Sequence, residues 1–326
     1  MPKLHEKLLA WWSQKCYCGK LDVDFECFLR AKELTMESFL SPQNDVVFKL
    51  LFCKPENNDL LISFLTAVLQ PRFPITSAIV LNPEITRNRI LEKGSILDVV
   101  VELQDKSKID IEMQVENEYN FRKRILFYWS RLHQSQLVPG DNYTHLRPSV
   151  AIAVLGYKET NELNYHSIYE LRERHSSNIF SEDICIHLIE LPKLNIYLNK
   201  HPEQAQQFVA LWSKFFEIKT PQDLEKLAME QPIFRRAEQA LYLISGDPEA
   251  RQLAEDREKA RMNFVSAIEG AKLVSREEGM QVGLEQGEKN AQLRLILAMI
   301  AKGMPSESIS EITQMPVSEI DGLRKP

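Results

Sequence analysis

The sequence predicts an α/β domain followed by an all-helical region, and three features of the chain support this fold class. Two short apolar runs flank a polar turn between residues 95 and 114, as in a β-hairpin. The run "PSVAIAVLGY" (148–157) is almost continuously apolar, which is typical of a strand buried on both faces in the middle of a sheet. From about residue 200 the apolar residues recur at helical spacing. The α/β domain should therefore cover about residues 41–195.

The composition and the first residues indicate a cytoplasmic protein. The 326 residues are 44% hydrophobic and 26% charged, which is ordinary for a globular chain. No apolar run approaches the roughly 20 residues of a membrane-spanning helix, and the N-terminus lacks the apolar stretch of a secretory signal. The formal net charge of −6 argues against a passive coat on nucleic acid. Residues 1–40 read as an N-terminal extension, in which Met36 opens a more natural beginning than Met1.

Three cysteines lie close together in "CYCGKLDVDFEC" (16–27). A structural zinc site needs four ligands in paired spacings, and this stretch offers a Cys-x-Cys pair, one further Cys and no nearby His. We expect reduced thiols here, with no metal.

Two helices precede the first strand. In "NDVVFKLLF" (44–52), Asp45 is a candidate N-cap. The segment "NNDLLISFLTAVLQ" (57–70) carries an apolar stripe, stops before Pro71 and has Asn57 or Asn58 as its N-cap. The β-rich segment "ITSAIVLNP" (75–83) follows.

The hairpin places acidic side chains on one face. Because side chains alternate along a strand, Asp98 shares a face with Glu112 and Gln114 across the turn. If Leu103 opposes Ile109, Asp98 lies opposite Gln114 and diagonal to Glu112; a slip of two residues brings Asp98 directly opposite Glu112. In either register the carboxylates are about 5–8 Å apart at their Cβ atoms.

Two carboxylates this close repel each other unless a cation lies between them. Mg²⁺ is a hard cation that accepts carboxylate and carbonyl oxygens, so Asp98 and Glu112 are candidate ligands. Gln114 points to the same side and could orient an attacking water, although an amide cannot act as a general base. The alternative is that the acids of this face are solvated. The chain then turns from acidic to basic, since "NFRKRILFYWSRL" (120–132) holds four basic residues and no acid.

A helix should follow the hairpin, with Phe121, Ile125 and Trp129 on its apolar side and a stop at Pro139 and Gly140. On its other side, three residues lie at i, i+4 and i+7, namely Arg124, Tyr128 and Arg131. They are candidates for phosphate contact, with a solvated helix face as the alternative. Two further strands, "HSIYELRER" (166–174) and "ICIHLIEL" (184–191), complete the predicted sheet.

The C-terminal third divides into a helical subdomain (196–246), a long charged helix (247–290) and a small three-helix, helix-turn-helix-like tail (291–326). Within the first of these, residues 221–245 read as one helix that begins at a proline. Gly279, Gly283 and Gly287 share one face of the long helix, either as a small-residue stripe that packs against a partner or as plain linker. The tail is broken at Gly303 and Pro316, and its last helix is too acidic for a good DNA-recognition helix.

These elements together resemble the PD-(D/E)XK nuclease fold, and in particular the PD-(D/E)XK nuclease family transposases, or recombination-promoting nucleases. The resemblance covers residues 40 to about 195. It is carried by five motifs in order: "LSPQNDVVFKLLF", "NDLLISFLTAVL", "LDVVVELQDKSKIDIEMQ", "FRKRILFYWSRLHQSQLVPGDNY" and "LRPSVAIAVLGY". It implies a restriction-endonuclease-like core, with a central mixed sheet flanked by helices.

The resemblance assigns roles at the hairpin. Asp98 matches the metal-binding aspartate, although Leu97 stands where the superfamily has Pro. Glu112 matches the acid of the second motif, and Gln114 replaces the usual Lys, as is common in this branch. The backbone carbonyl of Met113 would be a further metal ligand.

It also assigns roles outside the hairpin. Asp45 and Lys49 belong to the N-terminal signature; Asp45 is a possible additional carboxylate at the metal, and Lys49 could reach phosphate. Arg124 and Tyr128 match the basic and aromatic residues of the following helix.

The implied function is a Mg²⁺-dependent DNA endonuclease in which Mn²⁺ can substitute. It would have little sequence specificity and act in recombination, mobile elements or defence, with homo-oligomerisation through the C-terminal helices. Two alternatives stay open: a weak or inactive nuclease fold that binds DNA or a partner, and an RNA nuclease.

Overall fold

The computed structural model of the protein describes residues 39–84, 98–117 and 120–324. The predictions for the segment before residue 39, including the cysteine-rich stretch, lie outside these residues, as does Leu97.

A mixed sheet of six strands forms the centre of the described fold, in the order β1-β2-β3-β4-β6-β5. The strands are β1 (Ala78–Val80), β2 (Val99–Leu103), β3 (Lys108–Gln114), β4 (Ser149–Leu155), β5 (His166–Arg172) and β6 (Ile179–Glu190). β4 runs parallel to both its neighbours, β3 and β6, whereas the remaining pairs are antiparallel. The predicted α/β class with a mixed central sheet is confirmed, and β4 holds the middle position that its continuous apolar run requires.

Two N-terminal helices cover one face of the sheet. α1 (Asp45–Cys53) is capped by Asn44, whose side chain accepts hydrogen bonds from the amides of Val46 and Val47. The N-cap alternative for Asp45 is therefore wrong, because Asp45 is the first helical residue. α2 (Asn58–Leu69) has Asn57, one of the two candidates, at its N-cap without a side-chain capping bond, and ends at Gln70 in the left-handed conformation.

α3 (Phe121–Gln134) covers the opposite face. Phe121 and Ile125 are buried against Ala151 and Ala153 of β4 in a separate apolar cluster. The two alanines have small side chains, so the helix can lie close to the middle of the sheet next to β3.

The next helices share the core of α1 and α2. They are α4 (Leu194–Lys200), α5 (Phe208–Glu217), α6 (Pro221–Glu230) and α7 (Pro232–Gly246). Trp212 of α5 contacts Phe52 and Phe64, each at a ring-centroid distance of 5.8 Å. The predicted division between residues 41–195 and 196–246 thus runs through one hydrophobic core.

The helix expected over residues 221–245 is broken at Gln231, which is extended. Pro232 begins α7 at the position where a missing backbone N–H does no harm, and the residue before a proline is disfavoured in a helix.

The chain forms two compact units, one up to Ala260 and one from Arg261 onward. α8 (Pro248–Ala301) is one helix of 54 residues. The predicted boundary at residue 290 is therefore absent, and the first helix expected in the tail is the end of α8. α9 (Ser306–Thr313) and α10 (Val317–Leu323) follow, and Ile296, Ile309 and Ile320 form the small core of this second unit. None of the helices in the described ranges is long and apolar enough to cross a membrane.

Candidate active site

The pairing of β2 with β3 decides which hairpin residues meet. Val99 pairs with Ile111 and Val101 with Ile109. Continuing this register by one residue places Asp98 opposite Glu112, which is the second of the two registers expected from the sequence. The turn explains the choice, because the Leu103 amide donates to the Ser107 carbonyl and so closes the hairpin two residues earlier than a Leu103–Ile109 pair would.

The same ladder brings the two carboxylates close together. Leu103 and Ser107 form a hydrogen-bonded pair, so alternation along the antiparallel ladder makes Asp98 and Glu112 a non-hydrogen-bonded pair. Opposing Cα atoms of such a pair are about 4.5 Å apart, and their side chains approach more closely than in the other type. Glu112 is also paired with Ala153 of β4, whose small side chain leaves room above the acid.

Asp110 is a third acid on this face, and the sequence interpretation gave it no role. It lies two residues before Glu112, is 6% exposed and pairs with Ala151 of β4. Burial raises the pKa of the Asp110 carboxyl well above its ordinary value, and the nearby Glu112 and Asp98 raise it further. The signal in the sequence was the two-residue alternation itself, which puts Asp110 and Glu112 on one face.

The backbone of Asp98 is held from two sides. The Lys49 ammonium donates to the Asp98 carbonyl at 3.1 Å, and the Asn82 amide donates to the same oxygen at 3.3 Å. Asn82 also accepts from the Val100 amide at 2.8 Å, which ties the end of β1 to the start of β2. Lys49 is fully buried, so it lies behind the carboxylates, and its contact with phosphate stays a prediction.

Gln114 and Arg124 meet at the other end of the acidic face. The Arg124 guanidinium donates through Nη2 to Gln114 Oε1, and Gln114 Nε2 donates to the Glu116 carbonyl at 2.9 Å. Tyr128, one turn further along α3, is half-buried. Arg131 is exposed, and its guanidinium lies 5.8 Å from the ring centre of Phe127.

Asp45 lies in a different environment from that expected of a metal ligand. Its carboxylate accepts from Arg257 Nε at 3.0 and 2.8 Å, and Arg257 Nη2 lies 2.6 Å from Asp45 Oδ2. The neighbouring Asn44 amide donates to the Ala254 carbonyl at 3.2 Å. Asp45 therefore joins α1 to the first turns of α8.

The hairpin offers oxygen donors of the kind that a divalent cation accepts. Asp98 Oδ1 and Asp110 Oδ1 are buried and accept no hydrogen bond from the part of the chain that the structure describes. Three or more His, Cys, Asp or Glu side chains do not converge on a metal position anywhere in these residues. The predicted donor set asks for two carboxylates and a carbonyl. The Gln114 carbonyl accepts from Gly156 after β4, so the preceding carbonyl, that of Met113, points the other way, toward the side of Asp98.

Comparison with known proteins identifies the family. No curated protein and no solved structure gives a significant match to this chain. The family model described as PD-(D/E)XK nuclease family transposase matches residues 42–271, more than two thirds of the sequence. The match includes the sheet, the acidic hairpin and the start of α8 that Asp45 holds. The chain therefore belongs to the PD-(D/E)XK nuclease family transposases.

Proposed function

We propose that this chain is a metal-dependent endonuclease that hydrolyses DNA phosphodiester bonds. The observation that carries the proposal is the acidic face of the hairpin, where Asp98 and Glu112 oppose each other and Asp110 lies beside them. Asp98 Oδ1 and Asp110 Oδ1 accept no hydrogen bond from the described residues, and a buried acidic cluster of this kind is costly unless a cation balances it. Because the chain belongs to a nuclease family, hydrolysis of nucleic acid is the reaction we propose for this site.

Asp98, Glu112 and the Met113 carbonyl would hold the cation. All three donors are oxygens, which favours Mg²⁺, and Mn²⁺ accepts the same ligands. A divalent cation supplies Lewis acidity toward a phosphodiester when bound. Lys49 and Asn82 fix the Asp98 backbone, so that the carboxylate is in position before substrate arrives.

DNA would be bound through its backbone, mainly by α3. Arg124 contacts the hairpin through Gln114, Tyr128 lies one turn further along α3, and Arg131 extends the basic surface. Contacts of this type fix position and carry no direct sequence information, so we propose little sequence specificity. Recombination, mobile elements and defence are the settings in which such an activity would act.

Cleavage of supercoiled plasmid tests the proposal. Wild-type protein is expected to nick plasmid with Mg²⁺ or Mn²⁺ and not with EDTA, whereas Asp98→Asn and Glu112→Gln should each lose at least about 100-fold in rate. Glu102→Gln is the matched control, because Glu102 is on the same face of β2 but pairs with Lys106, away from the site. Cleavage that persists in both site variants would refute the assignment.

A binding module is the second candidate, and one observation favours it. Position 114 carries an amide whose Oε1 and Nε2 are both hydrogen-bonded, which gives the site no charged general base there. Calorimetry separates the candidates: a nuclease should bind Mg²⁺ or Mn²⁺ in a manner that Asp98→Asn abolishes. A protein that binds DNA but shows no metal binding sensitive to Asp98 would be a binding module.

A further inference from the structure

Gln114 is fixed at both ends of its amide. Its Oε1 accepts from Arg124 and its Nε2 donates to the Glu116 carbonyl at 2.9 Å. The residue is 7% exposed, and its backbone carbonyl accepts from the Gly156 amide at 2.8 Å. A side chain held in this way is suited to orienting a neighbour, and it has little freedom to follow an attacking water.

The neighbour it orients is a cation beside the acidic face. Arg124 lies in the second turn of α3, and Phe121 and Ile125 on either side of it fix the helix against β4. A guanidinium keeps its charge at any relevant pH and has five N–H donors in a rigid plane. This geometry matches the paired oxygens of a phosphate.

Phosphodiester hydrolysis needs positive charge close to the phosphoryl oxygens of the scissile phosphate. A water oxygen bonds to phosphorus, the bond from phosphorus to the leaving sugar oxygen breaks, the water gives up one proton and the leaving oxygen gains one. Negative charge grows on the phosphoryl oxygens during this change, and a fixed cation stabilises it. Glu112 and Gln114 are two residues apart on one face of β3, so a group bound to Gln114 lies next to the carboxylates.

We propose that Arg124 is the catalytic cation at the scissile phosphate and that Gln114 is its positioning residue. The proposal rests on the proposed nuclease function and deepens it. Gln114 would act by positioning Arg124, whereas its position in the sequence suggests that it orients the attacking water.

Relocating the charge tests the proposal. Arg124→Gln, Gln114→Ala and the exchange variant Gln114→Lys/Arg124→Gln are compared with wild type in single-turnover plasmid cleavage with Mg²⁺ at saturating DNA. We expect losses of about 100-fold for Arg124→Gln and about 10-fold for Gln114→Ala, in line with removal of one donor to a developing anion. The exchange variant should recover at least about 10-fold over Arg124→Gln, because it restores a cation to the same face.

Arg122→Gln is the control for loss of charge from α3. Arg122 lies one residue into the same helix and pairs with Glu159 at 2.7 Å, so its removal should leave the rate at saturation unchanged. A larger loss in Gln114→Ala than in Arg124→Gln would show that Gln114 acts on water directly, and would overturn the proposal. So would failure of the exchange variant to recover any rate while it remains folded.

A binding measurement keeps the proposal testable if the wild type does not cut. Fluorescence anisotropy with a short DNA duplex in EDTA, between about 50 and 200 mM salt, gives the number of phosphate contacts from the salt dependence of affinity. Arg124→Gln should lower the slope by about one contact, and the exchange variant should restore it. A chain that binds with this behaviour but never cuts would refute the nuclease and keep the Arg124–phosphate contact. An unchanged slope would refute the contact itself.

Discussion

Lys49 is a buried side chain that supports the candidate site from within the core. It is fully buried, its ammonium donates to the Asp98 carbonyl, and its charge opposes the burial effect on the pKa of Asp110. An ammonium in this position compensates carboxylates that would otherwise repel each other. Removing the Lys49 charge should therefore lower the free energy of unfolding, and a bound divalent cation should offset part of that loss.

We expect Lys49→Met to lower the free energy of unfolding by about 2 kcal/mol in EDTA. Mg²⁺ should return about half of that loss, because a cation that binds only the folded state stabilises it. Urea denaturation of wild type and variant, with and without Mg²⁺, measures both quantities. Lys193→Met is the matched control: Lys193 is also buried and pairs with Glu190 at 2.5 Å, and its variant should show no rescue. Equal losses with and without Mg²⁺ would contradict the compensating role of Lys49.

A second buried group, the pair His166 and His187, predicts a pH dependence. His187 Nδ1 lies 3.0 Å from His166 Nε2, and His187 Nε2 lies 3.2 Å from Cys185 Sγ. Burial lowers the pKa of His166 to about 4, and burial together with His166 lowers the pKa of His187 to about 3. Burial, together with the smaller effect of Glu170, which faces Cys185 from β5, raises the pKa of the Cys185 thiol to about 11. Both imidazoles are therefore neutral in the folded protein at neutral pH.

The sign of the effect follows from these directions. Below about pH 6.5 the unfolded chain takes up protons that the folded chain refuses, so stability falls as pH falls from that value toward the folded pKa values. We expect wild type to lose on the order of 4 kcal/mol more than His166→Gln/His187→Gln between about pH 7 and pH 5, about half of it from each imidazole. Urea denaturation at both pH values measures this. The exposed His145→Gln should behave as wild type, and a double variant with the wild-type slope would contradict the prediction.

At the scale of elements, the contact between α1 and α8 fixes the start of the long helix to the first unit. Asp45 and Arg257 form a two-pronged ion pair, Asn44 bonds to the Ala254 carbonyl, and Val46 packs on Leu253. The two charged side chains are only 14% and 15% exposed, so water screens their attraction little.

We expect Asp45→Asn and Arg257→Gln each to destabilise the protein by about 2 kcal/mol, and their double-mutant cycle to show a coupling of about 1–3 kcal/mol. The exposed pair Lys226 and Asp223 provides the comparison, with an expected coupling below about 1 kcal/mol. Calorimetry with Mg²⁺ should find the metal affinity of Asp45→Asn unchanged. If Asp45→Asn binds the metal more weakly but is as stable as wild type, Asp45 is a metal ligand after all.

The hairpin shows what sequence reasoning could and could not determine. Alternation placed Asp98, Glu112 and Gln114 on one face, because side-chain direction follows from a period of two. The register stayed open by two residues, since that slip keeps every side chain on its face, and the choice depends on turn geometry. Here Lys106 has a positive φ of 68°, and the Ser107 amide donates to Asp105 Oδ1. Neither the positive φ of Lys106 nor the hydrogen bond from Ser107 to Asp105 could be predicted from the residue pattern.

Long-range contacts were hidden for a different reason. Asn82 and Lys49 lie 16 and 49 residues before Asp98, and Arg257 lies 212 residues after Asp45. Periodicity reports only which face of its own helix or strand a residue occupies, so it could not pair these positions. Asp110 was given no role because an acid in a strand usually indicates a solvated face, whereas here it is buried on the face of the sheet that α3 covers.

At the scale of the whole molecule, α8 raises the question of self-association. Residues 269–292 are exposed on all sides within the described chain, although Leu273, Met280 and Leu284 are apolar. An isolated helix gains most of its stability from packing, and glycines in its interior weaken it. A helix of this kind is better explained by a second copy of the chain than by solvent alone, and we propose that the C-terminal helices form a homo-oligomer.

The glycine stripe of α8 allows this proposal to be tested. A Cβ atom added at Gly279, Gly283 or Gly287 would meet nothing within 4 Å, so alanine fits in the single chain and should stabilise the helix by about 0.5–1 kcal/mol per site. If the stripe packs closely on a partner helix, the same methyl groups would hold the two backbones apart. We therefore expect Gly279→Ala/Gly283→Ala/Gly287→Ala to be at least as stable as wild type but to dissociate at higher concentration, as measured by analytical ultracentrifugation. The matched control changes residues at the same spacing on another face, Gln281→Ala/Glu285→Ala/Lys289→Ala, and should associate like wild type. Unchanged or tighter association of the glycine variant would show that this segment is a linker, and self-association would then have to be sought elsewhere in the chain.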